Sequence, residues 1–199
     1  MTLDALGLAL GTAFAAGLNV YATVATLGLL QRFGVVTLPA PLELVGHPVV
    51  LGVAIALYLV EFLADKIPYI DNVWDVVHTF IRPPAAAVLA YAAVAGVPEA
   101  WRVAAALVAG GVALTSHTTK AATRAAVNTS PEPVSNSAVS VFEDVVAVGI
   151  VWLAASHPLV ALGVVLVLLA VAIWALWKIF GLLRRFYAGP RRAGSSSGD

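Results

Sequence analysis

From Pro158 to Leu183 the sequence carries a single charged side chain, Lys178, placed near the end of the stretch. A helix that crosses a bilayer needs about 20 predominantly apolar residues, and this stretch supplies them. The rest of the chain is similarly apolar. Hydrophobic residues make up 61% of the 199 and charged ones 11%, where a soluble domain has about 25% charged residues. Polar side chains are too few to cover a globule in water, so a soluble enzyme, a nucleic-acid binder and a disordered chain are excluded as classes. An integral membrane protein is the class that fits. The 11 Lys and Arg balance the 11 Asp and Glu, so no overall field attracts nucleic acid. Cysteine is absent, which removes disulfides, thiol catalysis and Cys-ligated zinc. Asp4 precedes the first basic residue, Arg32, whereas a secretory signal begins with a basic region. The first apolar segment therefore reads as a retained span.

Apolar runs and turn residues predict an all-α membrane bundle of about six transmembrane helices, at roughly 4–31, 48–66, 73–97, 100–125, 135–155 and 158–183. Pro39, Pro41 and Pro48 precede the second, Pro83–Pro84 predicts a kink within the third, and Asn128-Thr-Ser-Pro-Glu-Pro133 separates the fourth from the fifth. Residues 1–183 read as one transmembrane domain, and 184–199, basic and rich in Gly and Ser, as a disordered cytoplasmic tail. With both termini inside, Lys66, Arg82, Lys120, Arg124, Lys178, Arg184, Arg185, Arg191 and Arg192 fall on the inner side, and Arg32 and Arg102 on the outer. The tail arginines are the safest part of that positive-inside bias. A bacterial cytoplasmic membrane fits this reading.

The halves, about 1–97 and 98–183, resemble each other weakly. Pro39-Ala-Pro41-Leu42 matches Pro131-Glu-Pro133-Val134, Ile67–Pro68 matches His157–Pro158, and the polar run from Leu18 to Thr23 matches that from Leu114 to Thr119, at offsets of 92, 90 and 96. Two units of three spans must insert in opposite senses, which predicts a 3+3 inverted repeat with a site at the repeat interface.

Ionisable groups at bilayer depth cost about 2.5–3.5 kcal/mol each on insertion scales and usually mark a pathway. Here they are spaced to share helix faces: Asn19, Thr23 and Thr26; Glu61 and Asp65; Asp71, Asp75, His78 and Arg82; His117, Lys120 and Arg124; Asn136, Ser140 and Glu143, with Asp144 beside them. The last span offers no such stripe before Lys178, so five helices are expected to line a polar centre and one to pack outside. Two blander readings stand beside this. The stretch from Lys66 to Arg82, with Tyr69 and Trp74, also suits an interfacial helix, and the stripe on the first span suits ordinary interhelical hydrogen bonding. Gly7, Gly11, Gly110 and Gly111 suit close helix packing.

No HExxH, phosphate-binding glycine loop or GxSxG elbow is present. No cofactor is expected, although Asp71, Asp75 and His78 have the spacing of a face that could hold a divalent cation. The run from Glu61 to Pro83, together with Gly17-Leu-Asn19-Val-Tyr21-Ala-Thr23, resembles the bacterial membrane family called domain of unknown function 4126. The resemblance covers roughly residues 5–180. It implies a multi-span membrane protein and carries over no catalytic residues.

The expected function is a small transporter. A polar or anionic solute, such as a lipid-phosphate headgroup, would cross a cavity lined by Asn19, Glu61, Asp65, Asp75, His78, Arg82, His117, Lys120, Arg124, Glu143 and Asp144. Glu61 or Glu143 would take up protons to couple transport, and Arg82, Lys120 and Arg124 would meet the anion. A channel, a metal-assisted lipid enzyme and a scaffold subunit are the alternatives. The bilayer and the solute are the expected partners, and the oligomeric state is not legible.

Overall fold

A computed structural model describes residues 2–67, 70–127 and 133–187, with the side chains at 127, 133–136, 183 and 185–187 outside that description. Among the described residues every regular element is helical. The α-helices are α1 (Leu3–Leu18), α2 (Val20–Arg32), α3 (Pro48–Ala64), α4 (Ile70–His78), α5 (Arg82–Ala93), α6 (Glu99–Val127), α7 (Pro133–Ser156) and α8 (Pro158–Tyr187). A short 3-10 helix, Ala40–Gly46, occupies the proline-rich link before α3.

α1 is the hub. It is apolar all round and buried without interruption from Gly7 to Gly17, which marks a helix enclosed on every side. α5, α6, α7 and α8 surround it. Close approach depends on missing side chains: a Cβ on Gly7 would strike the Pro158 backbone, and one on Gly11 would lie 2.5 Å from Ala154 Cβ. Gly110 makes only ordinary contact and Gly111 faces open space, so the packing role expected of that second pair is not what they do. Gly17, pressed on Ala113 and Ser116, takes it instead.

Two expected spans are broken. The first, read as continuous over 4–31, stops at Asn19, whose backbone is extended (φ −153°, ψ 104°). The Asn19 side chain then caps α2 by accepting from the Ala22 N–H at 2.9 Å. The third divides into α4 and α5, bent by 46°. The bend lies at Thr79–Ile81, before the prolines rather than at them. Pro83 and Pro84 cannot donate to the carbonyls of Thr79 and Phe80, so they end one helix and serve in the first turn of the next, where no N–H partner is needed.

Among the described residues, two helical segments are long and apolar enough to cross a membrane, Ser137–Ser156 in α7 and Pro158–Leu182 in α8. The bent pairs, the 3-10 helix with α3 and α4 with α5, raise the number to four if each is one span. α8 follows the last expected span and continues to Tyr187; the tail beyond it, including Arg191 and Arg192, lies outside the described residues, as does the loop at 128–132.

Candidate functional site

The helix break at Asn19 organises the polar centre. Ending α1 there frees the carbonyls of its last turn, and buried carbonyls need donors. Arg82 Nη1 donates to Gly17 O and Lys120 Nζ to Leu18 O, each at 3.2 Å, and one turn earlier Ser116 gives Phe14 O, inside the helix, an additional donor at 2.9 Å. Two of the three donors are cations at a helix C-terminus, where the helix dipole is negative.

Those cations also bind carboxylates from other helices. Arg82, at 0% exposure, holds Glu61 Oε1 at 2.6 Å and Asp75 Oδ1 at 3.5 Å. Lys120 holds Asp65 at 2.9 Å and reaches Glu61 and Glu143 at 3.7 and 3.8 Å. Arg124 holds Glu143 at 3.0 Å, Asp65 at 3.2 Å and Asp71 at 3.7 Å. The result is one continuous ionic network joining α3, α4, α5, α6 and α7. Buried pairs of this kind hold only when the geometry is good and the remaining polar atoms find partners.

The histidines extend it as hydrogen-bonding groups. His117 Nδ1 lies 2.6 Å from Arg82 Nη1, which can only donate, so Nδ1 accepts. Its Nε2–H is then free to donate to Asp75 O at 3.1 Å, beside Thr79 Oγ1 at 2.9 Å. His78 Nδ1 donates to Trp74 O at 2.8 Å, which leaves Nε2 to accept from the Tyr21 hydroxyl at 3.3 Å.

Asp144 differs from the other acids. Asn19 Nδ2 donates to its Oδ1 at 2.9 Å and Tyr58 OH to its Oδ2 at 3.3 Å. Among the described residues no Lys or Arg nitrogen reaches it within 4.0 Å. It lines a crevice of about 650 Å³ between α2, α3 and α7.

A family model described as Domain of unknown function (DUF4126) matches residues 6–178. The chain belongs to that family. No curated protein and no solved structure matches it.

In this member of the family, the side chains expected to line a cavity come together: Asn19, Glu61, Asp65, Asp75, His78, Arg82, His117, Lys120, Arg124, Glu143 and Asp144 all join the buried centre or adjoin it. α8 adds none of them. Lys66 makes no ion pair within 4.0 Å among the described residues, its ammonium lying 3.0 Å from the centroid of the Phe62 ring, and the side chain of Asn136 lies outside the described residues. The candidate metal face does not gather. Among the described residues no three His, Asp or Glu side chains form a group that could hold a metal ion. Asp71 turns to Arg124, Asp75 to Arg82 and His78 to Tyr21. In α4 the polar side chains of Asp71, Asp75 and His78 are buried against the protein while Val73 and Val76 point outward.

Spacing alone missed several participants. Tyr58 lies three residues before Glu61 and Thr79 four after Asp75, so the same face rule reaches both. The Gly17 and Leu18 carbonyls have no such signal.

Because Asn19 both caps α2 and donates to Asp144, Asn19→Ala should destabilise the protein by about 2–4 kcal/mol. Thermal melting in detergent, followed by tryptophan fluorescence, checks this. An unchanged midpoint would show that neither contact contributes.

Proposed function

We propose that this chain is a small proton-coupled transporter with six spans in a 3+3 inverted arrangement, whose solute path runs through the ionic network beside the Asn19 break. The carrying observation is the imbalance of buried charge. Six carboxyl groups (Glu61, Asp65, Asp71, Asp75, Glu143 and Asp144) face three permanent or near-permanent cations (Arg82, Lys120 and Arg124). So large an excess of negative charge at bilayer depth is untenable unless protons or a bound cation offset it. Every one of the three basic groups is already held by carboxylates, which supports a proton or a positively charged solute over the anion expected from the sequence.

The packing supports movement of one part against another. α3 packs on α2, α4 and the 3-10 helix but makes little close backbone contact with α5, α6 or α7. It is tied to α5 and α6 through side chains, Glu61 to Arg82 and Asp65 to Lys120 and Arg124. Ties of this kind can exchange partners without dismantling an apolar core. For the 3+3 arrangement, α1 with α2, the 3-10 helix with α3, and α4 with α5 would form one unit, with α6, α7 and α8 as the other. The breaks in the first unit have no counterparts in the continuous α6 and α8, so any symmetry is one of topology. Both termini would lie in the cytoplasm of a bacterium, with Lys178 and Arg184 on that side.

Ser140 offers a test. Its hydroxyl is fully buried and makes no hydrogen bond among the described residues, and the chain has no cysteine of its own. Ser140→Cys, probed in membranes with an impermeant thiosulfonate, should react from one side at neutral pH and change its rate at least tenfold when a proton gradient is imposed. A thiol that never reacts from either side would mean a dry ionic core with no path through it.

A further inference from the structure

The lateral crevice that ends at Asp144 carries a more specific reading. α3 and α7 both pack on α2 but barely on each other, and the gap between them has a volume of about 650 Å³. Its walls are apolar, and three of them are aromatic: Tyr58, Phe62 and Trp152. Val141, Val145 and Trp152 line it and are also exposed on the apolar outer surface, so the crevice opens sideways, toward lipid rather than water. The lining residues that carry polar groups are Thr26, Tyr58 and Asp144.

Asp144 is 95% buried, being 5% exposed, and its two hydrogen-bond donors, Asn19 and Tyr58, are both neutral. Each of the other five acids of the centre has an Arg or Lys nitrogen within 4.0 Å. The nearby Lys66 is taken up by the Phe62 ring and by Phe62 O, at 3.0 Å from each. A buried carboxylate with no Lys or Arg nitrogen within 4.0 Å, beside an apolar and aromatic passage, is complementary to one kind of group. That group is a positive charge carried on apolar bulk, which aromatic faces also attract.

We propose that the crevice between α2, α3 and α7 binds a lipophilic monocation, an amine or onium group on an apolar body, which enters from the bilayer and sets its charge against Asp144. The site rests on the transport reading for its purpose, since it names the class of solute, but its occupancy is a matter of binding alone. The aromatic walls take the apolar body, and Asp144 supplies the counter-charge that the other acids have already spent on Arg82, Lys120 and Arg124. An acyl chain of a lipid could fill the same walls but would have no use for the carboxylate.

Tetraphenylphosphonium and tetraphenylborate, ions of like size and opposite charge, separate these cases. Binding of each, labelled and measured separately, is compared between protein in lipid nanodiscs and empty nanodiscs. Tetraphenylphosphonium should bind saturably and tetraphenylborate should not. Asp144→Asn should weaken the cation at least tenfold. Gly149→Phe provides a second variant that leaves the ionic network alone: Gly149 lines the crevice, and a Cβ there meets nothing within 4 Å. The added ring should fill the crevice and also weaken binding at least tenfold. Three results would overturn the proposal: no saturable excess over empty discs, equal binding of both ions, or cation binding that Gly149→Phe leaves unchanged. Saturable binding without proton-driven uptake of the same cation into proteoliposomes would leave this site standing and remove the transport reading.

Discussion

Arg82→Met is expected to destabilise the protein by about 3–5 kcal/mol, the usual result of removing one partner from a buried ion pair. The methionine fills much of the same space, so the loss is electrostatic. Glu61 keeps only Lys120, at 3.7 Å, and Asp75 loses the guanidinium that lies 3.5 Å from it. Gly17 O and His117 Nδ1 lose the donor they share. The readout is the tryptophan fluorescence melting midpoint in detergent. The double variant Arg82→Met with Glu61→Gln should recover part of the loss, because it removes the stranded charge together with its partner. If the double variant is no more stable than the single one, the stranded Glu61 is not the cause of the loss.

Gly17→Ala is expected to cost about 3 kcal/mol, at the upper end for a group forced into a packed interior. The added Cβ would lie 2.9 Å from Ala113 Cα and closer still to the Ala113 carbonyl oxygen and Ser116 Oγ. Backbone cannot rotate aside as a side chain can, so α6 must back away from α1. That movement would also draw Ser116 from Phe14 O and Lys120 from Leu18 O, now 2.9 and 3.2 Å. Gly163→Ala serves as the control. It lies within α8 with open space around it, and alanine there should be neutral or stabilising by up to about 1 kcal/mol. Equal melting points for the two variants would show that α1 and α6 do not depend on close approach at Gly17.

These two residues show where sequence reading succeeds and where it stops. Arg82 is legible because it lies four residues after His78 and seven after Asp75, and helical spacing puts such residues on one face whatever surrounds them. The same rule gathers Lys120 with Arg124 and Glu61 with Asp65. It gives the face of each helix but not the partner across the gap: Arg82, Lys120 and Arg124 read as the groups that would meet an anion, and in the structure each is held by carboxylates. Gly17 is hidden among other glycines, since its importance depends on which helix lies opposite. The break at Asn19 is equally hidden. No proline or glycine cluster marks it, and the groups that stabilise it come from Arg82 and Lys120, far along the chain. The prolines at 83 and 84 declared a discontinuity, but its place was set by the carbonyls they leave unserved rather than by the prolines themselves.

The long reach of those donors sets an order of events during synthesis. Gly17 and Leu18 leave the ribosome early, while the side chains that serve their carbonyls follow 65 and 102 residues later. Until then the carbonyls have no donors of their own, and in lipid a backbone group without one costs several kcal/mol. The break at Asn19 is therefore fully served only once α5 and α6 are in place beside α1. A chain stalled at its midpoint would lack Lys120 and the helix that Gly17 packs against. The N-terminal half alone would leave Leu18 O without its Lys120 donor.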